Sequence, residues 1–181
     1  MPSPTDMKKN SIALKTALGG LLCAQALALS FIESLLPAIP FMPPGAKPGL
    51  PNIIIMFAAG SVGAPQAFII TLVKSGFVFI TRGATAAVMS LSGGLLACAA
   101  TVILMRFCRE KLGIIGISVI AALCHNLGQL TASVFITGSE KTLYYAPFLA
   151  LFGIVTGIAT GLIFRAILPA LEKQKKYFYK G

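Results

Sequence analysis

The chain is predicted to be an all-α integral membrane protein, a six-transmembrane-helix bundle, from its composition, its apolar runs and the placement of its positive charge. Of its 181 residues, 56% are hydrophobic and 11% are charged, and the mean hydropathy is +0.87. Soluble domains carry about 25% charged residues, so a soluble globular protein is excluded. One helical crossing uses about 20 apolar residues. The length therefore admits at most about six or seven crossings and no sizeable extramembrane domain. The first apolar run, from Ile12, is far longer than a signal h-region and is not followed by a small-residue cleavage site, so it is expected to stay in the protein.

Six apolar runs supply the helices: Ile12 to Leu36, Leu50 to Val62, Ala67 to Ile80, Ala86 to Met105, Leu112 to Ile136 and Tyr144 to Leu168. Between them stand the proline-rich stretch Pro37 to Pro51, the Gly63-Ala64-Pro65 and Thr81-Arg82-Gly83 turns, the basic loop Arg106 to Lys111, and Gly138 to Lys141. The expected organisation is a polar cytoplasmic N-terminus over 1–11, a single six-helix membrane domain over 12–168 and a basic, frayed or interfacial cytoplasmic tail over 169–181. The second and third runs are each about 15 residues, roughly 22 Å at 1.5 Å per residue, against a bilayer core of about 30 Å. Short helices and a re-entrant hairpin both fit them.

The net charge of +10 arises from 15 Lys and Arg against 5 Asp and Glu. With the N-terminus inside, the cytoplasmic side collects eleven cations: Lys8, Lys9, Lys15, Arg106, Arg109, Lys111, Arg165, Lys173, Lys175, Lys176 and Lys180. The outside receives Lys47, Arg82 and Lys141, and Lys74 lies within a run. The positive-inside rule then predicts a multi-pass membrane protein with both termini in the cytoplasm.

Several chemistries lack their residues. Cys23, Cys98, Cys108 and Cys124 match no CxxC pair or compact disulfide frame, and a single histidine argues against a multi-imidazole zinc or haem site. Asp6 is the only aspartate, so the clustered aspartates that hold Mg²⁺ on a prenyl diphosphate are missing. There is no phosphate-binding loop of Walker spacing and no Ser/His/Asp set with an acidic member in the membrane. The basic tail reads as a topology signal rather than a nucleic-acid site. No catalytic residue, metal or resident cofactor is expected: the protein is read as a non-enzyme.

Polar side chains inside apolar runs are the candidate binding residues, because a charge in hydrocarbon costs on the order of 2.5 to 3.5 kcal/mol on insertion scales and faces a bundle interior or wet cavity. Lys74, in AFIITLVKSGFVFI, lies deep in its run: it faces a ligand or ion pair, or else snorkels. Glu33, the one acidic residue inside an apolar run, is an interfacial residue, the ion-pair partner of Lys74, or a ligand contact. In the fifth run His125 and Gln129, four apart, share a face with Ser118 and Ser133, and Asn126 widens it. Ligand contact and helix-to-helix hydrogen bonding both explain this set. Depth counting places His125 near mid-bilayer, with Gln129, Glu33, Asn52 and Lys74 in the outer half. The Pro37 to Pro51 loop holds six of the eleven prolines and Lys47, which favours a preshaped lid, and Arg82 follows the third run. These charges favour a ligand bearing carboxylate or phosphate. Gly93-Gly94 with Ala97, and Gly153, Gly157 and Gly161 at four-residue spacing, read as helix packing; Ala13, Ala17, Gly19, Gly20, Ala24 and Ala28 read either that way or as a face another helix approaches.

The segment PGAKPGLPNIIIMFAAGSVGAPQAFIITLVKSGFVFI, followed by SLSGGLLA and AALCHNLGQL, resembles the Gx transporter family, widely labelled heptaprenyl diphosphate synthase component I. The likeness spans about residues 10 to 170 and is most specific at Lys47-Pro48-Gly49-Leu50 with Asn52, at Ser90 to Leu95, and at His125 to Gln129. That family is similar to the substrate-binding S-components of energy-coupling-factor (ECF) transporters. The resemblance implies an S-component-like bundle whose first outer loop, here Pro37 to Pro51, gates the site, and whose spaced alanines, here Ala13 and Ala17, dock on a transmembrane T-component. It further implies partnership with ABC-type ATPases. The expected function is capture of a small, anionic, cofactor- or vitamin-like solute from outside, with Glu33, Lys47, Asn52, Lys74, Arg82, His125, Asn126 and Gln129 as its contacts. The alternatives are an accessory membrane protein of isoprenoid-quinone synthesis or membrane redox chemistry, and a standalone secondary transporter whose sole intramembrane carboxylate would be Glu33.

Overall fold

The structure, a computed structural model, describes residues 4–36, 47 and 49–180, with side chains described among these from 13 to 173. Every regular element described is helical: α1 (Pro4–Leu35), α2 (Asn52–Ser61), α3 (Ala64–Arg82), α4 (Ala84–Phe107), α5 (Arg109–Thr137), a short 3-10 helix (Glu140–Tyr145) and α6 (Ala146–Lys180). Residues of the polar N-terminus belong to α1 from Pro4 onward, and the basic tail continues α6 to Lys180. Most of the expected proline-rich lid lies outside the described residues.

Among the described residues, five helices are long and apolar enough to cross a membrane. The third run, expected to be short, is a 19-residue helix, about 28 Å at 1.5 Å per residue and thus of crossing length. Its start is marked by Gly63, with φ +138°, and by a proline in its first turn. The second run is different. α2 has only 10 residues, about 15 Å, bounded by Pro51 and Gly63.

α2 is apolar on all sides, and Ile53, Ile54, Ile55, Met56, Phe57 and Ala58 are all buried, as expected of a helix surrounded by others. It packs against α1, α3, α4 and α6, and its isoleucines share one core with Leu18, Leu22 and Ala26 of α1, Ile70 of α3, Cys98 of α4, Ile117 of α5 and Phe164 of α6. The long helices bury only 33% to 39% of their most apolar windows inside the protein. Side chains such as Ile80 and Phe135 point outward, so the remaining apolar surface matches hydrocarbon rather than water.

α4, α5 and α6 form a closely packed row because glycine lets their backbones touch. A Cβ on Gly128 would lie 2.7 Å from the Cα of Gly93, and one on Gly157 would lie 2.6 Å from the Cα of Val119. Ser92 Oγ donates across the α4–α5 crossing to the Gly128 carbonyl at 2.9 Å. Gly153, Gly157 and Gly161 all face α5, which is the packing role their spacing predicts.

Candidate functional site

A polar cluster is buried where α1, α3, α4 and α5 meet the segment leading into α2. Glu33, Lys74, His125 and Gln129 are 6%, 3%, 2% and 3% exposed. These four line one cavity together with Ser30, Lys47, Gly49, Arg82 and Ser90. Lys74 of α3 and His125 and Gln129 of α5 are thus brought together.

Glu33, buried near the end of α1, engages backbone groups. Its Oε1 accepts hydrogen bonds from the backbone N–H groups of Gly49 at 2.5 Å and Leu50 at 2.9 Å. Those residues form the turn that starts α2, whose Asn52 N–H bonds back to the Gly49 carbonyl at 2.9 Å. A carboxylate here satisfies donors that no helix bond can reach and complements the positive helix end. Ser30, one turn earlier, joins it on the buried face.

Gly49 has φ +87°, a conformation that L side chains rarely adopt. A Cβ there would lie 2.7 Å from Asn52 Nδ2 and 3.3 Å from His125 Nε2. Glycine is therefore required both by the turn and by the close seat of that turn on the imidazole. Lys47, just before it, presents its carbonyl to Gln129 Nε2 at 3.2 Å, and its ammonium donates to the Leu36 carbonyl. The Lys47 pKa is lowered, first by partial burial, then by the positive charge of Arg82, with Glu33 acting in the opposite sense.

Gln129 Nε2 also lies 2.6 Å from His125 Nε2. An amide nitrogen only donates, so His125 Nε2 accepts, and the proton of the neutral ring resides on Nδ1. Both residues are set against α4 by the Gly93–Gly128 crossing, where a Cβ on Gly93 would meet His125 Nδ1 and Gln129 Cγ at 3.0 Å. Gly94 similarly makes room for Lys74, whose Nζ is 3.6 Å from the position of an added Cβ. Gln129 Oε1 and His125 Nδ1 are buried with no hydrogen-bond partner among the described residues. Arg82, half-buried at the end of α3, lines the same cavity.

Two expected contacts lie elsewhere. Asn126 turns to α6, where its Nδ2 donates to the Leu149 carbonyl at 2.8 Å; it joins two helices. Asn52 lines a neighbouring cavity of about 20 Å³ with Thr101, Ser118 and Thr160. There Ser118 Oγ and Thr160 Oγ1 pair at 2.9 Å, and Asn52 Oδ1 is buried without a partner among the described residues. Gly49 borders both cavities. Ala13 and Ala17 are exposed on α1 in line with the exposed Gly20, Ala24 and Ala28. Ser30, Gly49, Ser90, Gly93 and Gly94 are site residues that the search for costly buried groups does not select. Their signal is the small residue within an apolar helix and the Pro-Gly turn.

Fold and site together define a multi-helix membrane protein with a buried cationic and amide-bearing cavity. The sequence matches the family described as heptaprenyl diphosphate synthase component I over residues 22–167, and the chain belongs to that family. The matched region contains every residue lining the polar cavity and leaves Ala13 and Ala17 outside. No curated protein and no solved structure matches the chain.

Proposed function

We propose that the protein is the solute-binding subunit of a membrane transporter, similar to ECF S-components. It captures a small anionic, cofactor- or vitamin-like molecule from the outer side of the bacterial inner membrane for uptake driven by a T-component and ABC-type ATPases. In this reading both termini are cytoplasmic and the chain itself catalyses no reaction. The observation that carries the proposal is the convergence of Lys74, His125, Gln129 and Glu33 in one buried cavity, with Gln129 Oε1 and His125 Nδ1 left without partners among the described residues. Buried polar atoms are normally satisfied, so a bound solute is a natural partner for them. The cations Lys47, Lys74 and Arg82 outnumber Glu33, and Glu33 is engaged by backbone N–H groups. Carboxylate or phosphate complements that balance.

The cavity measures about 10 Å³, at the lower limit for one water, whereas sites for small organic ligands run to about 300 Å³ or more. Capture therefore requires the turn at Gly49 to move off His125 and Gln129, and inward release follows when the partner reorients the bundle. The test is purification from native membranes in gentle detergent, with mass spectrometry of co-purifying proteins and small molecules. We expect ABC-type ATPases, a T-component and an anionic solute, the solute being lost from Lys74→Ala and His125→Ala while both variants stay folded. Undiminished uptake by both variants would refute the site.

The family's name favours a second reading, an accessory role in isoprenoid-quinone synthesis in which the same cavity holds a prenyl or quinone headgroup. Co-purification of a prenyl synthase without ATPases would support it, and unchanged quinone pools after deletion of the gene would oppose it.

A further inference from the structure

At the opposite end of α5 from the polar cluster the helix is broken. Gly113 has φ +62° and ψ 179°, which separates the turn that begins at Arg109 from the span that continues at Ile114. A Cβ on Gly113 would meet nothing within 4 Å, so the break opens onto free space rather than onto packed protein. Beside it lies a groove of about 400 Å³, lined by Leu112, Gly113, Ile114 and Ile115 and flanked by Arg109 from α5 and Arg165 from α6. Both arginines are exposed. Among the described residues, neither has a hydrogen-bonding or acidic partner.

Two guanidinium groups, 56 positions apart in sequence, are thus brought to the rim of an apolar trough at the end of a membrane-crossing bundle. Guanidinium presents a planar fork of donors that matches the oxygens of a phosphodiester, and the leucine and isoleucine side chains match the start of an acyl chain. Arg106 and Lys111 stand close by in sequence, with Glu110 the single acid between them. Their charge disfavours a headgroup that carries its own cation. We propose that this groove binds one anionic glycerophospholipid, its phosphodiester held between Arg109 and Arg165 and its chain lying along Leu112, Ile114 and Ile115. Free inorganic phosphate has no counterpart for the apolar wall. A charge that served only to orient the chain in the membrane would need neither a groove nor a lipid preference. The site is separate from the solute cavity and does not rest on the function proposed for it.

The test uses the delipidated full-length chain titrated with phosphatidylglycerol or phosphatidylcholine in mixed micelles, with bound lipid counted by native mass spectrometry. Phosphatidylglycerol is expected to bind selectively. Each substitution, Arg109→Ala or Arg165→Ala, should weaken it about fivefold and the pair about 25-fold. Lys141→Ala, at the other end of α5, should leave it unchanged. Replacing both arginines by lysine, which keeps the charge but not the fork, should fall between. Equal binding of the two lipids, unchanged binding by the doubly alanine-substituted chain, or displacement of the lipid by millimolar inorganic phosphate would overturn the proposal.

Discussion

Glu33 offers the sharpest test of how the site is built, because ligand contact, ion pairing and backbone capping predict different responses to two conservative changes. Its Oε1 takes two backbone donors, Gly49 N–H and Leu50 N–H, and the carboxylate is buried. A hydrogen bond to a charged group contributes about 1.5 to 3 kcal/mol. Glu33→Ala leaves both donors unsatisfied, so a loss of about 3 to 4 kcal/mol follows from the lower part of that range. For a chain of this size 1 kcal/mol corresponds to about 2 to 4 °C in Tm, giving a fall of roughly 6 to 16 °C. Glu33→Gln keeps an acceptor of the same reach and loses only the assistance of the charge, so about half that fall is expected. Thermal unfolding in detergent can be followed with a thiol-reactive fluorophore once the partly exposed Cys23, Cys108 and Cys124 are replaced by serine, since Cys98 is fully buried and becomes reactive only as the bundle opens. Pairing each variant with Lys74→Met separates the mechanisms. If Glu33 acted mainly as the counter-ion of Lys74, Gln and Ala would cost the same, and removal of Lys74 would rescue both. That pattern, or an alanine effect under about 2 °C, would refute the capping argument.

Two further outcomes follow from the geometry. Gly128→Ala places a methyl 2.7 Å from the Cα of Gly93, so α4 and α5 must part; a cost of about 1 to 3 kcal/mol is expected, together with weaker solute retention because His125 lies about one turn before the crossing and Gln129 directly after it, and intact retention at a lowered Tm would show that the site is indifferent to that spacing. Lys47 has a lowered pKa through partial burial and the charge of Arg82; a bound anion favours the protonated amine and raises that pKa again, so affinity for the co-purified solute should be constant below the free-state value and fall as pH rises through it, and a flat titration curve from neutral pH to about 10.5 would remove Lys47 from the contact set.

How much of this was legible in the sequence depends on what kind of fact each residue expresses. Lys74, His125 and Gln129 stand out because burying them is costly, and a separation of four places the last two on one helical face. Cost of burial does not say who bears it. Asn126 is as expensive as Gln129, yet it sits about 100° around the helix from His125 and meets α6 instead of the cavity, bonding the Leu149 carbonyl. Neighbouring positions on a helix point to different partners, and only the packing row of Gly153, Gly157 and Gly161 against α5 reveals which face is which. Glu33 illustrates a second limit. Its partners are backbone N–H groups 16 and 17 positions away, which have no side-chain signature, so a search by residue type offers Lys74 as the obvious counter-ion and overlooks the turn. The same turn carries Asn52 toward the second cavity, although its expected depth matches that of Glu33 and Lys74. Depth in a bundle is one coordinate of three, and the short helix α2, apolar and buried from Ile53 to Ala58, has no polar face from which the other two can be read.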